Sequence, residues 1–471
     1  MNFRTEHDSM GPLQVPADAL YQAQTQRAIN NFQLHPATVP EALIRALLQI
    51  KQAAARANLQ LGLLSPLQAN AIATAAEQQL LQLDLRQYPV SLYQTGSGTS
   101  SHMNVNEVLA TLASQSSATL IHPNDHVNLG QSSNDTVPSA IHLSASVAII
   151  LQLQPALLQL QQAISQLSSQ QGHLLKTGRT HLMDAMPLRF SQVFSGWLAQ
   201  LSHAGQQIAQ QLPGLQQLAQ GGSAIGTGVN VHPRFAGLLC AELTQITGIH
   251  FRPSDNYFFS LSCQDVAVAC SGALKTLAVA LLKIANDLRW MNSGPLAGLA
   301  EIELPALQPG SSMMPGKVNP VIPEAVAMAS VQVIGHDCAI TLAGQSGNFE
   351  LNVMLPLVAH NLLDSLTLLT GSCTALADQA IAGLKIRQDT TTTVLSYNPM
   401  LVTALNPLIG YEQAAIIAKT AYSQHRPVLE VALELTDLPE AELRLLLDPA
   451  RLAGPNGNDP ASQQADPDRV R

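Results

Sequence analysis

The sequence predicts a mainly α protein built around a central bundle of long helices, and three observations carry that expectation. Ala, Leu and Gln dominate a chain of 471 residues in which 46% are hydrophobic, 12% charged and 4% aromatic. That is a composition of helix formers, not of the β-branched and aromatic residues that strands favour. Long apolar runs at helical spacing occupy roughly 137–169, 188–220, 262–292, 322–345 and 350–384. The run from Val137 is apolar on nearly every face, which belongs inside a bundle and not on a surface. Polar residues, by contrast, collect in a few short islands between the long runs.

In chain order, residues 1–38 mix polar, Pro and Gly residues without a clear period. Ala42, Leu43, Ala46, Leu47, Ile50 and Ala54 then recur at helical spacing from Pro40 to about Asn58. Ser65-Pro66 predicts the next helix start, with Ser as cap and Pro in the first turn. A hydroxyl-rich loop is expected from Gln94 to Asn104, a short helix from about Val105, and a polar loop from His122 to Asp135. After Asp389 the elements become shorter. The expected parts are an N-terminal helical domain 1–136, a central long-helix bundle 137–388, a small C-terminal helical domain 389–453 and a disordered polar end 454–471. Low charge on so apolar a helical chain also predicts that much helix surface is buried between subunits.

Charge narrows the partners. A net charge of −9 argues against nucleic acid, which needs a basic face. An anionic small substrate would have to be held by a local cluster. The five cysteines, Cys240, Cys263, Cys270, Cys338 and Cys373, are scattered and never in C-x-x-C spacing, as expected of buried free thiols in a reducing compartment. The first residues lack a signal-peptide core, and the most apolar segments are broken by Lys275, Lys283 or several Gln, so neither secretion nor membrane insertion is expected and a cytoplasmic location is the default.

Four islands are candidates for chemistry. The main one, Gly310 to Glu324, reads G-S-S-M-M-P-G-K-V-N-P-V-I-P-E; two hydroxyls, a cation and an amide on a Gly-rich loop can offer several donors to a carboxylate. The others hold Ser97, Thr99 and Asn104; Gln131-Ser132-Ser133-Asn134-Asp135; and Gly178-Arg179-Thr180-His181-Leu182-Met183-Asp184. Each alone is compatible with turn or cap chemistry, and Ser132-x-x-Asp135 fits a capping box only loosely. Convergence of four at one end or waist of a bundle would make a site. Rival motifs fail. Gly221–Gly228 follows a Gln-rich helix and not a strand, so it is no dinucleotide loop. Val318 after Gly316-Lys317 stands where a phosphate loop needs Ser or Thr. His122, Asp125 and His126 lack a further ligand cluster for a metal. No Gly-x-Ser-x-Gly elbow supports a hydrolase triad.

The block G-S-S-M-M-P-G-K-V-N-P resembles the signature of the fumarase/aspartase superfamily, and within it the chain is most similar to class II fumarases from about Arg4 to Gly454. Asp8-Ser-Met-Gly, Ala23-Gln24-Thr25-Gln26-Arg27, Ser97-Gly98-Thr99, Gln131–Asp135, Gly178–His181 and Met400–Pro407 match further blocks. The resemblance implies a three-domain fumarase/aspartase-like fold, a homotetramer whose active sites are shared between subunits, a small dicarboxylate substrate, no cofactor and no metal. It implies reversible hydration of fumarate to (S)-malate, with an aspartase-like ammonia lyase or a non-catalytic tetrameric scaffold left open. By similarity Ser312 is the base, His181 with Thr180 acts on the water at C2, and Glu324 orients His181. Lys317 and Asn319 hold the carboxylate that accumulates charge, while Ser97, Thr99, Ser132, Ser133 and Asn134 bind substrate carboxylates. His122, Asn124 and Asp125 match a secondary carboxylate site, but Thr119-Leu120-Ile121 supplies no cation before it. The chain departs from the family at His102, where Asn is common, at Tyr257 and Phe259, which replace Lys and Glu, and at Met183 and Met186, which replace polar residues.

Overall fold

A computed structural model describes residues 2–454. The expected disorder of the polar end falls, from residue 455 onwards, outside the described residues. The chain divides into two units: one takes residues up to Pro155 with Ala204–Ala278 and Ala329–Thr370, the other takes Ala156–His203, Val279–Met328 and Gly371 onwards. Among the described residues helices dominate, and each of the five sheets has only two strands.

The first unit begins with a hairpin that the sequence did not announce. Strands β1 (Phe3–Asp8) and β2 (Gly11–Pro16) pair antiparallel, from Phe3 opposite Pro16 to Asp8 opposite Gly11. Anchoring replaces hydrophobic alternation here. Arg4 donates to the carbonyls of Pro16, Ala19 and Tyr21, and Arg27 from helix α1 (Ala23–Asn31) holds Asp8 at 2.7 Å. Helix α1 has no cap of its own at Gln22. Buried Glu107 supplies one, accepting from the backbone of Gln22, Gln24 and Thr25 and from Thr25 Oγ1. Helix α2 (Glu41–Gln60) is buried along most of its length, so its apolar run continues all round. Ser65 caps α3 (Pro66–Leu81) with a full capping box to Gln68, as its sequence predicts.

Helix α4 (Thr99–Ser117) begins six residues earlier than expected and is long, not short. Gly98, left-handed at φ 74, makes the turn into it, and a Cβ there would stand 2.9 Å from Val137 Cγ1. Hydroxyl residues that read as loop are therefore its first turn. Helix α5 (Ser133–Ala148) starts four residues before the predicted Val137. Ser132 and Asp135 form the capping box that looked only loose in sequence. A π turn at Ile149–Leu153 joins α5 to Gln154–Gln171, giving a continuous 39-residue helix.

The predicted loop 178–184 is instead the end of a second hairpin, in the other unit. Strands β3 (Leu175–Thr180) and β4 (Met183–Arg189) pair from Leu175 opposite Arg189 to Thr180 opposite Met183, with a bulge at Gly178. A Cβ at Gly178 would come within 2.6 Å of the Met186 carbonyl, so only Gly fits the close pairing. The C-terminal elements hold this hairpin from outside: Asn398 donates to the Ala185 carbonyl and Arg189 to those of Ala450 and Gly454. They pack on their own core of Leu401, Val402, Leu405, Ile417, Val431 and Leu443.

The long helices Phe190–Ala209, Asp265–Met291, Val321–Gly344 and Leu355–Ala375 confirm the predicted runs; 210–220 breaks into shorter pieces, while Leu355–Ala375 continues into a π turn at Leu376–Ile381. By length and composition Ser133–Gln171, Asp265–Met291 and Val321–Gly344 would each suffice to cross a membrane, contrary to the expectation that polar residues break every such run. Half or more of the first two windows is buried within the fold, but only 33% of the third. The cysteines are all free, yet only Cys240, Cys270 and Cys373 are buried; Cys338 lies on the outward side of its helix.

Candidate active site

Each unit presents its own part of the predicted site. In the first, the N-termini of α4 and α5 lie together, packed through Gly98 on Val137. Ser97 Oγ and Thr99 Oγ1 are 2.8 Å apart at the start of α4. Ser132, Ser133 and Asn134 open α5, half-buried. Two helix N-termini with four hydroxyls among unpaired N–H groups favour an anion, by dipole and by hydrogen bond. The Asn134 amide is partly committed, donating to the Ala224 carbonyl at 2.8 Å.

Behind this face lies a buried polar cluster that joins His102, Gln131 and Asp135, named from the sequence, to Lys51, which was not. Asp135 is fully buried; burial pushes its carboxyl up to about 6, against backbone donors from Ser132, Ser223 and Gly221 and the cation of Lys51. The glycine-rich stretch 221–228 is thus a cradle for a carboxylate of its own chain. Lys51 is also buried. Its ammonium meets Asn128 Oδ1 at 3.0 Å, Gln131 Oε1 at 2.8 Å and His102 Nε2 at 2.5 Å. His102 Nδ1 in turn stands 2.8 Å from Ser133 Oγ. Among many helix-spaced residues of α2, nothing marked Lys51 except that it is a cation on an otherwise buried face.

His122, Asn124 and Asp125 are exposed and turned in on their own turn. His122 Nδ1 accepts from the backbone of Asn124 and Asp125 and lies 3.2 Å from Asp125 Oδ2. His126 accepts from His122 N and meets Gln68. These histidines build a turn; among the described residues no group of three His, Cys, Asp or Glu is placed to hold a metal.

In the second unit, His181 and Leu182 form the two-residue tip of the β3–β4 hairpin, with φ of 55 and 61. Both are left-handed without being Gly, a conformation that costs about 1 kcal/mol per residue. Such strain is kept where a side chain must be presented. Thr180, His181 and Met183 are exposed around the tip. Beneath it Lys176 and Arg179 share buried Glu301, each nitrogen 2.6 Å from a carboxylate oxygen. Lys176 approaches Oε2 as an ion pair and not as an aligned hydrogen bond.

The catalytic-loop candidate runs from Gly310 into the helix Val321–Gly344, so Glu324 is in a helical first turn and not in the loop. Asn319 Nδ2 donates to the Gly310 carbonyl at 2.6 Å and closes the loop, leaving its oxygen free of that bond. A Cβ at Gly310 would sit 2.1 Å from the Lys317 carbonyl, which fixes glycine where the two arms meet. Ser311 Oγ accepts from Met313 N and Met314 N, so the first serine folds the loop while Ser312 stays exposed. Lys317, Asn319 and Glu324 line one cavity of 410 Å³ with Arg289, Trp290 and Asn292. Arg289, a second cation there, was not anticipated. Ser312 and His181 do not line it.

Residues 11–335 match the family described as lyase, and residues 401–454 match the fumarase C C-terminus. Class II fumarate hydratase 2 of Pseudomonas aeruginosa is 60% identical over 449 residues, covering 95% of this chain and 98% of that protein. The chain belongs to the class II fumarate hydratase family. The fumarate hydratase of Xylella fastidiosa is 58% identical over 96% of this chain and 95% of its own. Among solved structures, the class II fumarase of Schistosoma mansoni superposes with a TM-score of 0.92 at 37% identity, covering 96% of this chain and 99% of that one. A Brucella melitensis fumarate lyase:delta crystallin gives 0.91 at 39% identity, with 96% and 100% covered. Of the residues that depart from the family pattern, half-buried Tyr257 is a structural neighbour of the glycine cradle at Gly221, while Phe259 is exposed.

Proposed function

We propose that this chain catalyses the reversible hydration of fumarate to (S)-malate by anti addition of water, through an aci-carboxylate intermediate. The observation that carries the reading is the loop closed between Gly310 and Asn319, which exposes Ser312 and, with the helix start that follows, sets Lys317, Asn319 and Glu324 around one cavity. In the dehydration direction Ser312 takes the C3 proton. A serine is a poor base unless its alkoxide is stabilised, and the Lys317 cation with the loop's backbone N–H groups supplies that stabilisation. Lys317 and Asn319 hold the carboxylate on which charge accumulates, donors already in place before the proton leaves. His181, presented at its hairpin tip with Thr180, gives a proton to the C2 hydroxyl as the C2–O bond breaks, so that it leaves as water, and Glu324 orients His181. Ser97, Thr99, Ser132, Ser133 and Asn134 bind the substrate carboxylates at two helix N-termini.

Catalysis in this reading takes place in a homotetramer with three subunits contributing to each site, in the cytoplasm. The apolar face of Val321–Gly344 supports the assembly: Met328, Val331 and Leu342 are 69%, 59% and 56% exposed, more apolar surface in line than a free helix leaves to water. The test is a coupled assay of malate against aspartate at equal concentration. Fumarate released from malate alone is the expected result; release from aspartate alone overturns the reading.

A further inference from the structure

The Lys51 ammonium has three hydrogens and faces three acceptors, all from other elements. Two are amide oxygens whose orientation is settled by the far end of each amide. Asn128 Nδ2 donates to the Gln131 carbonyl at 3.2 Å, and Gln131 Nε2 to the carbonyls of Val127 and Leu129 at 3.2 and 3.3 Å. Their oxygens must therefore face Lys51. The third acceptor is His102 Nε2. Burial first, and Lys51 second, push the His102 imidazole well below its ordinary range, so the ring is neutral. A neutral imidazole has one donor and one acceptor nitrogen. With Nε2 accepting from the ammonium, Nδ1 carries the hydrogen and donates to Ser133 Oγ. That contact occupies a lone pair of the Ser133 oxygen and leaves its O–H free to point away from the protein interior. Burial pulls the Lys51 ammonium well below its ordinary range, and Asp135, buried beside the same helix start, together with the two fixed amide oxygens opposes that shift and favours the charged form.

We propose that Lys51 and His102 form a positioning pair that fixes the Ser133 hydroxyl as a donor towards a substrate carboxylate, so that the site selects an ionised carboxylate at this position. The inference rests on Ser133 belonging to the carboxylate-binding set. Its logic is one of polarity. If residue 102 accepted from Ser133 instead of donating to it, the Ser133 hydrogen would turn inward and oxygen lone pairs would face the substrate anion. Asparagine keeps the polarity of His102, since Oδ1 accepts from Lys51 and Nδ2 donates to Ser133. Aspartate is nearly the same size and reverses it, accepting from both.

The test compares His102→Asn, His102→Asp and Lys51→Met with the parent in calorimetric titration by succinate, an inert dicarboxylate, and in KM and kcat for fumarate. His102→Asn is expected to bind succinate within about threefold of the parent, while His102→Asp binds about tenfold or more weakly, the loss of one hydrogen bond to a charged group. The effect should fall mainly on KM. Lys51→Met frees the tautomer without adding a charge, and should weaken succinate by about threefold or more; it gives the answer if His102→Asp does not fold. Equal affinity of the Asn and Asp variants, or a parent-like Lys51→Met, overturns the inference. A parent that binds succinate without hydrating fumarate overturns the proposed activity alone; a parent that binds neither overturns both.

Discussion

Replacing Glu301 by Gln takes away the carboxylate that Lys176 and Arg179 share beneath the His181 tip. The Glu301 side chain is 4% exposed, Lys176 10% and Arg179 16%. Gln keeps one oxygen, which Arg179 can retain, and turns an NH2 group towards Lys176. Burial already pulls the Lys176 ammonium below its ordinary range, and Glu301 is the main influence raising it again. Without that partner Lys176 is a buried cation, and breaking such a pair costs about 3–5 kcal/mol. The loss has a ceiling, because Lys176 can shed its proton; from an ordinary value near 10.5 down to neutral pH that ceiling is about 5 kcal/mol at 1.36 kcal/mol per pH unit. Urea unfolding followed by circular dichroism should therefore show about 3–5 kcal/mol of destabilisation, and adding Lys176→Met should recover about half or more. Turnover should fall with it, since Arg179 is two residues from His181. A loss below about 1 kcal/mol, as for an exposed pair, refutes the reasoning.

Two further predictions concern the buried carboxylate and the strained tip. Asp135 titrates at about 6 in the fold against 3.8 ordinarily, so its contribution to stability is complete below about 3.8 and is lost as pH rises through 6. Going from pH 8 to pH 5, the parent should gain about 1–1.5 kcal/mol on Asp135→Asn in unfolding free energy; a pH-independent difference would remove Asp135 as the titrating group. Leu182→Asn should stabilise by about 1 kcal/mol, because Asn tolerates the left-handed region and Leu182 is exposed. A lowered melting temperature would mean that Leu182 packs in a way that outweighs its backbone strain.

The bundle was legible because a helix buried on all sides writes itself into the sequence as an unbroken apolar run, as in 137–169. Ser65-Pro66 was legible because its cap is local. The hairpin carrying His181 was not. Its turn uses His and Leu at positive φ, where pattern reading expects Gly or Asn, and its bulge depends on a single Gly. The N-terminal hairpin was hidden for another reason: Arg4 and Arg27 hold it, so its strands need no alternation. Thr99 read as loop because hydroxyl residues suit loops and first turns equally. Asp135 was legible as a cap, but the burial of Lys51, Glu107, Asp135 and Glu301 shares one cause of invisibility. Each is a charge made tolerable by partners far along the chain: Lys51 meets His102, Glu107 meets Gln22, Asp135 meets Ser223, and Glu301 meets Arg179. The roles of Ser312 and Lys317 were read from motif alone, and the loop's closure by Asn319 explains why that motif has its glycine at 310.

The central claim is that this chain interconverts (S)-malate and fumarate with Ser312 as base. The direct measurement follows the ultraviolet absorbance of fumarate as purified protein is supplied with (S)-malate, for the parent and for Ser312→Ala. The account predicts steady growth of fumarate absorbance with the parent and a fall in turnover of about 10²–10⁴ in the variant. No growth with the parent contradicts the activity, and near-parental turnover in Ser312→Ala contradicts the base.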